Sequence, residues 1–263
     1  MFKRKRLIIA VVFVSVLIFS FINFIQPKYV IPIAMYHSIN PNVQKDNRLA
    51  ITPQAFARQM RFLKEHNYNV ITLEKAADII KNKKKAPANT IVLTFDDGYK
   101  DNYTYVFPIL KKYGFPATLF IIIDEVGRPE GDMVSWDDIY AMQASGLVTV
   151  GSHTFRHPYL IDLTSREDIR REIQDSKKVL EVKLGRKVDV FCYPAGRFNK
   201  EIRQIVIDSG YKIAVATNPG KEIPDDDVFA LKRLRISQNC ANLFIFWIET
   251  SGYYNLIREN RKK

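Results

Sequence analysis

Short apolar runs alternate with amphipathic stretches about seven times along this chain, and that rhythm restricts its fold more than any other feature. Residues 30–36, 70–72, 90–95, 117–123, 148–152, 188–193, 213–217 and 231–236 are apolar, mostly β-branched runs that read as strands. The run at 90–95 lacks the polar alternation of a half-exposed strand, so it is expected to be buried on both faces. Between the runs, apolar residues recur at helical spacing, as Phe56, Met60 and Leu63 do after Thr52-Pro53, a cap followed by a first-turn proline. Further helices are expected at 73–80, 101–113, 136–144, 165–184, 199–209 and 239–254, several closed by glycine or opened by serine. Strands that alternate with helices build a parallel sheet with helices outside, open or closed into a barrel. The expected fold is α/β, a distorted (β/α)7-type barrel with parallel strands, preceded by one N-terminal transmembrane helix.

That helix is read from residues 7–25, which are apolar except for Ser15, Ser20 and Asn23 and follow Lys3, Arg4, Lys5 and Arg6. Such a length spans a hydrocarbon core, and the basic cluster should stay in the cytoplasm. No small-residue cleavage site follows, so an uncleaved signal anchor is expected. Residues 1–27 form the flank and anchor, and 28–263 one catalytic domain at the cell membrane, on its extracytoplasmic side. The formal charge of +12 is partly this flank, and the remaining excess suits an anionic lipid or wall polymer as well as solvated helix ends. Nucleic acid is excluded as a partner, because no recognition motif accompanies the charge. The two cysteines, Cys192 and Cys240, form no Cys-x-x-Cys pair and read as free, small apolar residues.

Chemistry gathers after the strands. Asp96 and Asp97 follow one apolar run, and His153 and His157, two of only four histidines, follow another. Adjacent carboxylates at a strand end raise each other's pKa unless a cation neutralises one of them. One aspartate and two histidines leave an open position on a divalent ion for water. The other aspartate is then free to act as a base.

Thr94-Phe95-Asp96-Asp97-Gly98, Ser152-His153-Thr154-Phe155-Arg156-His157-Pro158 and Phe191-Cys192-Tyr193-Pro194-Ala195-Gly196 together resemble the three motifs of the polysaccharide deacetylase family, carbohydrate esterases with a NodB-like domain. The likeness runs from about Val30 to Ser237. It implies a divalent metal, usually zinc, on Asp97, His153 and His157, with Asp96 as general base. It implies an oxyanion contact from the Ala195 N–H and substrate contacts from Tyr193 and Pro194. The implied substrate is an N-acetylated glycan, peptidoglycan or poly-N-acetylglucosamine.

The chain departs from the family pattern in three places. No histidine follows His157, so His37, in Met35-Tyr36-His37-Ser38, is the candidate acid, as in the poly-N-acetylglucosamine branch that the chain resembles more loosely. His66, near the end of a surface helix, reads as a capping residue. Position 192 is cysteine where the family has a base-orienting arginine, and Arg233 or Arg235, two residues apart on a later strand, are the candidate replacements. Ala195 stands where an aromatic is usual, and Trp136 is a candidate sugar platform or a core residue. A glycan-binding pseudoenzyme and an O-acetyl esterase are the competing functions.

Overall fold

The computed structural model describes residues 12–17, 20, 29–44, 47–128, 132–217 and 226–254. Most of the stretch expected to cross a membrane lies outside these residues. Its described part, 12–17 and 20, is helical, with Val12, Phe13, Val14, Val16 and Leu17 exposed. Among the described residues no helix is long and apolar enough to cross a membrane.

The first strand, β1 (Ile33–Tyr36), is followed by a small parallel pair, β2 (Ser38–Ile39) and β3 (Ala50–Ile51). Helix α1 (Pro53–Glu65) starts where Thr52 accepts a hydrogen bond from Ala55 N, with proline at the first position. After β4 (Asn69–Val70), Thr72 caps α2 (Leu73–Lys81) in the same way. β5 (Thr90–Phe95) is buried at all six residues, as its composition requires. The helix expected over 101–113 is divided. Its first part, Asn102–Val106, is a π-turn, in which Phe107 N donates to Asn102 O, and only Phe107–Tyr113 (α3) is α-helical. Pro108 has no N–H to give Thr104, so the regular ladder cannot pass through this point. Gly114 ends α3 in the left-handed conformation.

β6 (Ala117–Ile121), α4 (Trp136–Ala144), β7 (Val148–Ser152), α5 (Arg166–Leu184), β8 (Val190–Cys192), α6 (Lys200–Asp208) and β9 (Ile213–Ala216) continue the alternation. The last expected strand is interrupted at Arg233, giving β10 (Leu231–Lys232) and β11 (Leu234–Arg235). The expected final helix is shorter and begins at Asn242, whose side chain accepts from Phe244 N and Ile245 N to open α7 (Leu243–Thr250).

Every strand pairing is parallel, and the order β10-β9-β8-β7-β6-β5-β1-β11 closes on itself, because β10 and β11 are two halves of one segment. Leu231 pairs with Val215 on β9, and Leu234 pairs with Ala34 on β1. The result is a near-closed barrel of seven staves. It is uneven: β6 and β7 share five register pairs, whereas β7 and β8 share only Ser152↔Phe191.

Alternation along the strands sorts side chains into two clusters. Ala34, Tyr36, Leu93, Phe95, Leu119, Phe191 and Ala214 face the helices. Ile33, Val92, Phe120, Val190, Cys192, Val215 and Leu231 form the other cluster, inside the barrel. The interior phase carries on past the strand ends, and it places His37, Asp96 and His153 at the barrel mouth. Gly151 is required here, since a Cβ would lie 2.7 Å from the Phe120 ring and 2.6 Å from Val190.

Candidate active site

Asp96 is buried directly beyond β5, its N–H donating to Tyr36 O at 2.9 Å. Arg233, 1 % exposed, enters from the break between β10 and β11. Its Nη1 and Nη2 donate to Asp96 Oδ1 and Oδ2, both at 2.7 Å, a two-pronged pair. Nη1 also donates to Thr94 Oγ1 at 3.1 Å, and Nη2 to Cys192 Sγ at 3.0 Å. Burial opposes the Asp96 charge, but Arg233's charge and hydrogen bonds outweigh it and hold the carboxyl well below the usual range. Of the two candidate arginines, Arg233 therefore grips the aspartate. Arg235 is exposed, and its charge reaches the site by lowering the pKa of His37.

Asp97, His153 and His157 converge beside this pair. His153 Nε2 lies 3.5 Å from Asp97 Oδ1 and 3.1 Å from His157 Nε2. Two donors about 2.0–2.1 Å from a tetrahedral ion stand about 3.3 Å apart, so the spacing fits one shared cation. His153 Nδ1 lies 2.9 Å from Cys192 O, which takes its proton and leaves Nε2 bare to act as ligand. Burial lowers the pKa of His153 to about 3 and also lowers that of His157, so both rings are neutral, as metal ligands must be. Burial, then the charge of Asp96, pushes the Asp97 carboxyl up to about 7, the condition of a carboxylate short of a positive neighbour. A second set, Asp96, His153 and Cys192, is also close enough to share an ion. There the Arg233 guanidinium already occupies both Asp96 oxygens and touches the sulfur, so a further cation would be repelled.

The backbone at these clusters is unusual. Asp97, Thr154, His157 and Ala195 all have left-handed φ, at 71°, 68°, 63° and 52°. Non-glycine residues take this conformation at a cost, and the surroundings must enforce it. For the histidine loop the enforcing residue is Glu172 on α5, buried at 1 % exposure. Its Oε2 accepts from Phe155 N at 3.0 Å and Arg156 N at 2.8 Å, and its Oε1 accepts from Arg156 Nε. Our reading of the sequence missed Glu172. The signal was present: it shares the buried stripe of Ile169, Ile173, Ser176 and Leu180, where a carboxylate needs partners.

His37 stands on the other side of Asp96, with Nε2 4.0 Å from Oδ2. Burial, partly offset by Asp96, lowers its pKa to about 4. Its carbonyl accepts from Asn102 Nδ2 at 2.9 Å, Asn102 also donates to Asp101 Oδ1, and Ser38 Oγ donates to Asp101 Oδ2 at 2.6 Å. This clamp of Ser38, Asp101 and Asn102 was not anticipated either, because Asn102 reaches His37 only through the π-turn.

The remaining candidates fare differently. Ala195 is exposed in a tight turn beside Cys192 and Tyr193. Tyr193 is fully buried, its hydroxyl donating to Phe229 O at 3.0 Å and its ring stacked on Phe198, so it holds the turn and does not meet substrate. Pro194 is buried too. Trp136 packs on the main core, tilted against Tyr140, with the Lys183 ammonium 5.5 Å above its ring. Of its two expected roles, this half-buried setting favours the core one. His66 caps α1, stacked on Phe62 with Nδ1 2.9 Å from Phe62 O.

A family model for polysaccharide deacetylase matches residues 83–214. The polysaccharide deacetylase-like YxkH of Bacillus subtilis is 33% identical over 207 residues, 79% of this chain and 71% of its own. The poly-beta-1,6-N-acetyl-D-glucosamine N-deacetylase of Staphylococcus aureus is 26% identical over 72% of this chain and 69% of its own. Among solved structures, the Streptococcus pyogenes deacetylase PplD in complex with acetate superposes with a TM-score of 0.72 and 30% identity, covering 80% of this chain and 93% of that one. With the three motifs gathered at one barrel mouth and these relatives aligned across most of its length, the chain belongs to the polysaccharide deacetylase family of carbohydrate-modifying hydrolases.

Proposed function

We propose that this protein is a metal-dependent N-deacetylase of N-acetylglucosamine-containing polysaccharide, with poly-β-1,6-N-acetylglucosamine ahead of peptidoglycan. The observation that carries the reading is the convergence of Asp97, His153 and His157 beside an Arg233-clamped Asp96. The likeness to the staphylococcal enzyme supports the substrate class. Asp97, His153 and His157 would hold the ion, and an Asp-His-His set suits zinc first and other divalent ions after it. When bound, the ion supplies polarisation of the acetyl carbonyl and a lowered pKa for water.

The side chains divide the remaining work. Asp96, fixed in one orientation by Arg233, accepts the proton of the attacking water. The water oxygen bonds to the acetyl carbon, and the Ala195 N–H donates to the oxyanion that forms, a contact worth about 2.7–4 kcal/mol where measured elsewhere. His37 is neutral at rest and 4.0 Å from Asp96, so the proton it gives the departing nitrogen is the one released by water. The C–N bond breaks, leaving acetate and a free amine. Retention of the three candidate ligands together with Asp96 favours catalysis over the pseudoenzyme reading.

The reading extends to location. The apolar stretch behind four basic residues supports a membrane anchor, with the domain acting outside the cytoplasm. The test is acetate release from β-1,6 and β-1,4 N-acetylglucosamine oligomers and from peptidoglycan. Wild-type protein is expected to act on the β-1,6 oligomer best, and Asp97→Ala to lose activity and bound metal together. Activity that survives in Asp97→Ala or after chelation would refute the mechanism. His37→Ala is expected to impair amide cleavage more than cleavage of an acetate ester, since an alkoxide leaves with less help from an acid.

A further inference from the structure

Among the described residues, Tyr159 is an exposed aromatic close in sequence to the active-site loops. Tyr159 follows the metal-binding loop by two residues and is 50% exposed. Arg197 follows Ala195 by two residues, is also exposed, and lays its guanidinium 5.2 Å from the centre of the Tyr159 ring. The loop that carries His157 and the turn that carries Ala195 are thus joined by a cation–π contact.

The backbone beside both partners is anchored. Leu160, the residue after Tyr159, is fully buried and opens a short 3₁₀ turn. Arg197 N donates to Pro194 O at 3.1 Å, and the next residue, Phe198, stacks on buried Tyr193 at 4.2 Å. Asn199 then caps α6 by accepting from Ile202 N at 2.8 Å. An aromatic face pinned from one side by a cation, in a fixed loop beside hydrolytic residues, is a surface for the apolar C–H face of a pyranose ring. Trp136 is occupied in helix packing and position 195 offers only a methyl group, so neither competes for the task.

We propose that Tyr159, oriented by Arg197, is the stacking platform of a sugar-ring subsite next to the reacting N-acetyl group. The ligand class is an N-acetylated hexosamine oligomer, and Arg197 offers outward-facing donors for a ring hydroxyl. The inference rests on the reading of a glycan substrate given above. It assigns the platform to a residue that the three sequence motifs do not include.

The experiment uses the full-length protein in detergent with a β-1,6-linked N-acetylglucosamine tetrasaccharide, measuring binding by calorimetry and KM and kcat from acetate release. Tyr159→Ala is expected to weaken binding and raise KM by about tenfold, with a smaller change in kcat, because ground-state and transition-state contacts are lost alike. Tyr159→Phe keeps the ring face and is expected to stay within about twofold of wild type. Arg197→Ala should fall between the two. Tyr159→Ala that binds as tightly as wild type overturns the proposal, as does Tyr159→Phe that binds as weakly as the alanine variant. Wild-type protein that binds the tetrasaccharide through Tyr159 yet releases no acetate would keep the subsite and sink the deacetylase reading. Wild-type protein that releases acetate with no dependence on Tyr159 would do the reverse.

Discussion

At the scale of single residues, the site is a set of charges that need one another. Arg233 and Asp96 are both buried, so removing either leaves the other without compensation. Arg233→Met is expected to cost about 3–5 kcal/mol of stability in chemical denaturation, with Arg233→Lys losing less because the charge survives without the fork. Equal losses would mean that a positive charge without the two-pronged geometry contributes nothing. Asp97 is the opposite case. Without metal it is a half-buried carboxylate beside another, so Asp97→Asn should melt higher than wild type in chelator while losing metal uptake by equilibrium dialysis. A lower melting point would show that the Asp97 charge is already compensated within the protein. The aspartate pair and the two histidines were legible because each cluster ends an apolar strand. Arg233 was only one of two candidates, because its hold on Asp96 spans 137 positions and depends on barrel closure. Trp136 was left between two roles for a related reason: an indole in sequence carries no mark of which surface it faces.

At the scale of elements, caps read well and irregular backbone did not. Thr52, Thr72, Ser135, Ser165 and Asn199 all cap the helices they were expected to open or precede. The break at Arg233 was invisible, since it arises where backbone regularity yields to a buried polar contact, whereas the π-turn over Asn102–Val106 had a sign in Pro108 that a single helix over 101–113 did not use. Glu172 lets an element be tested directly. Glu172→Ala strips two loop N–H groups of their acceptor, and a loss of about 2–4 kcal/mol with weaker metal binding is expected, read by denaturation and metal titration. Intact metal affinity would mean that the loop holds its left-handed turns unaided. The start of α4 gives a pH test. Burial works against the Asp138 charge, but hydrogen bonds from Lys100 and Ser135 outweigh it and keep the carboxyl below its ordinary value. A group depressed in this way stabilises above its unfolded pKa, and the contribution disappears as pH falls through the folded one. Asp138→Asn should therefore lower the melting point at pH 7 and converge on wild type once the pH has fallen through the depressed pKa of Asp138. Parallel curves down to that pH would discount the capping pair.

For the whole molecule, the strand–helix rhythm announced parallel staves and outer helices, but not whether the sheet was open. Closure depends on register at Leu231–Arg235, where Leu231 pairs with nearby Val215 but Leu234 pairs with Ala34 at the far end of the sequence. The proposed ion joins the ends of β5 and β7, so it should stabilise the folded chain alone. At about a hundred times its dissociation constant it is expected to add about 2.7 kcal/mol, raising the melting point of wild type and not of His157→Ala. An equal rise in both would place the ion elsewhere. The split stave has a further effect. The residue at its break is also the one that grips Asp96, so the last stretch of barrel to emerge from the ribosome is the stretch that completes this buried ion pair. A chain cut short before Leu231, or caught with its ends unjoined, leaves Asp96 without the guanidinium that fixes its orientation.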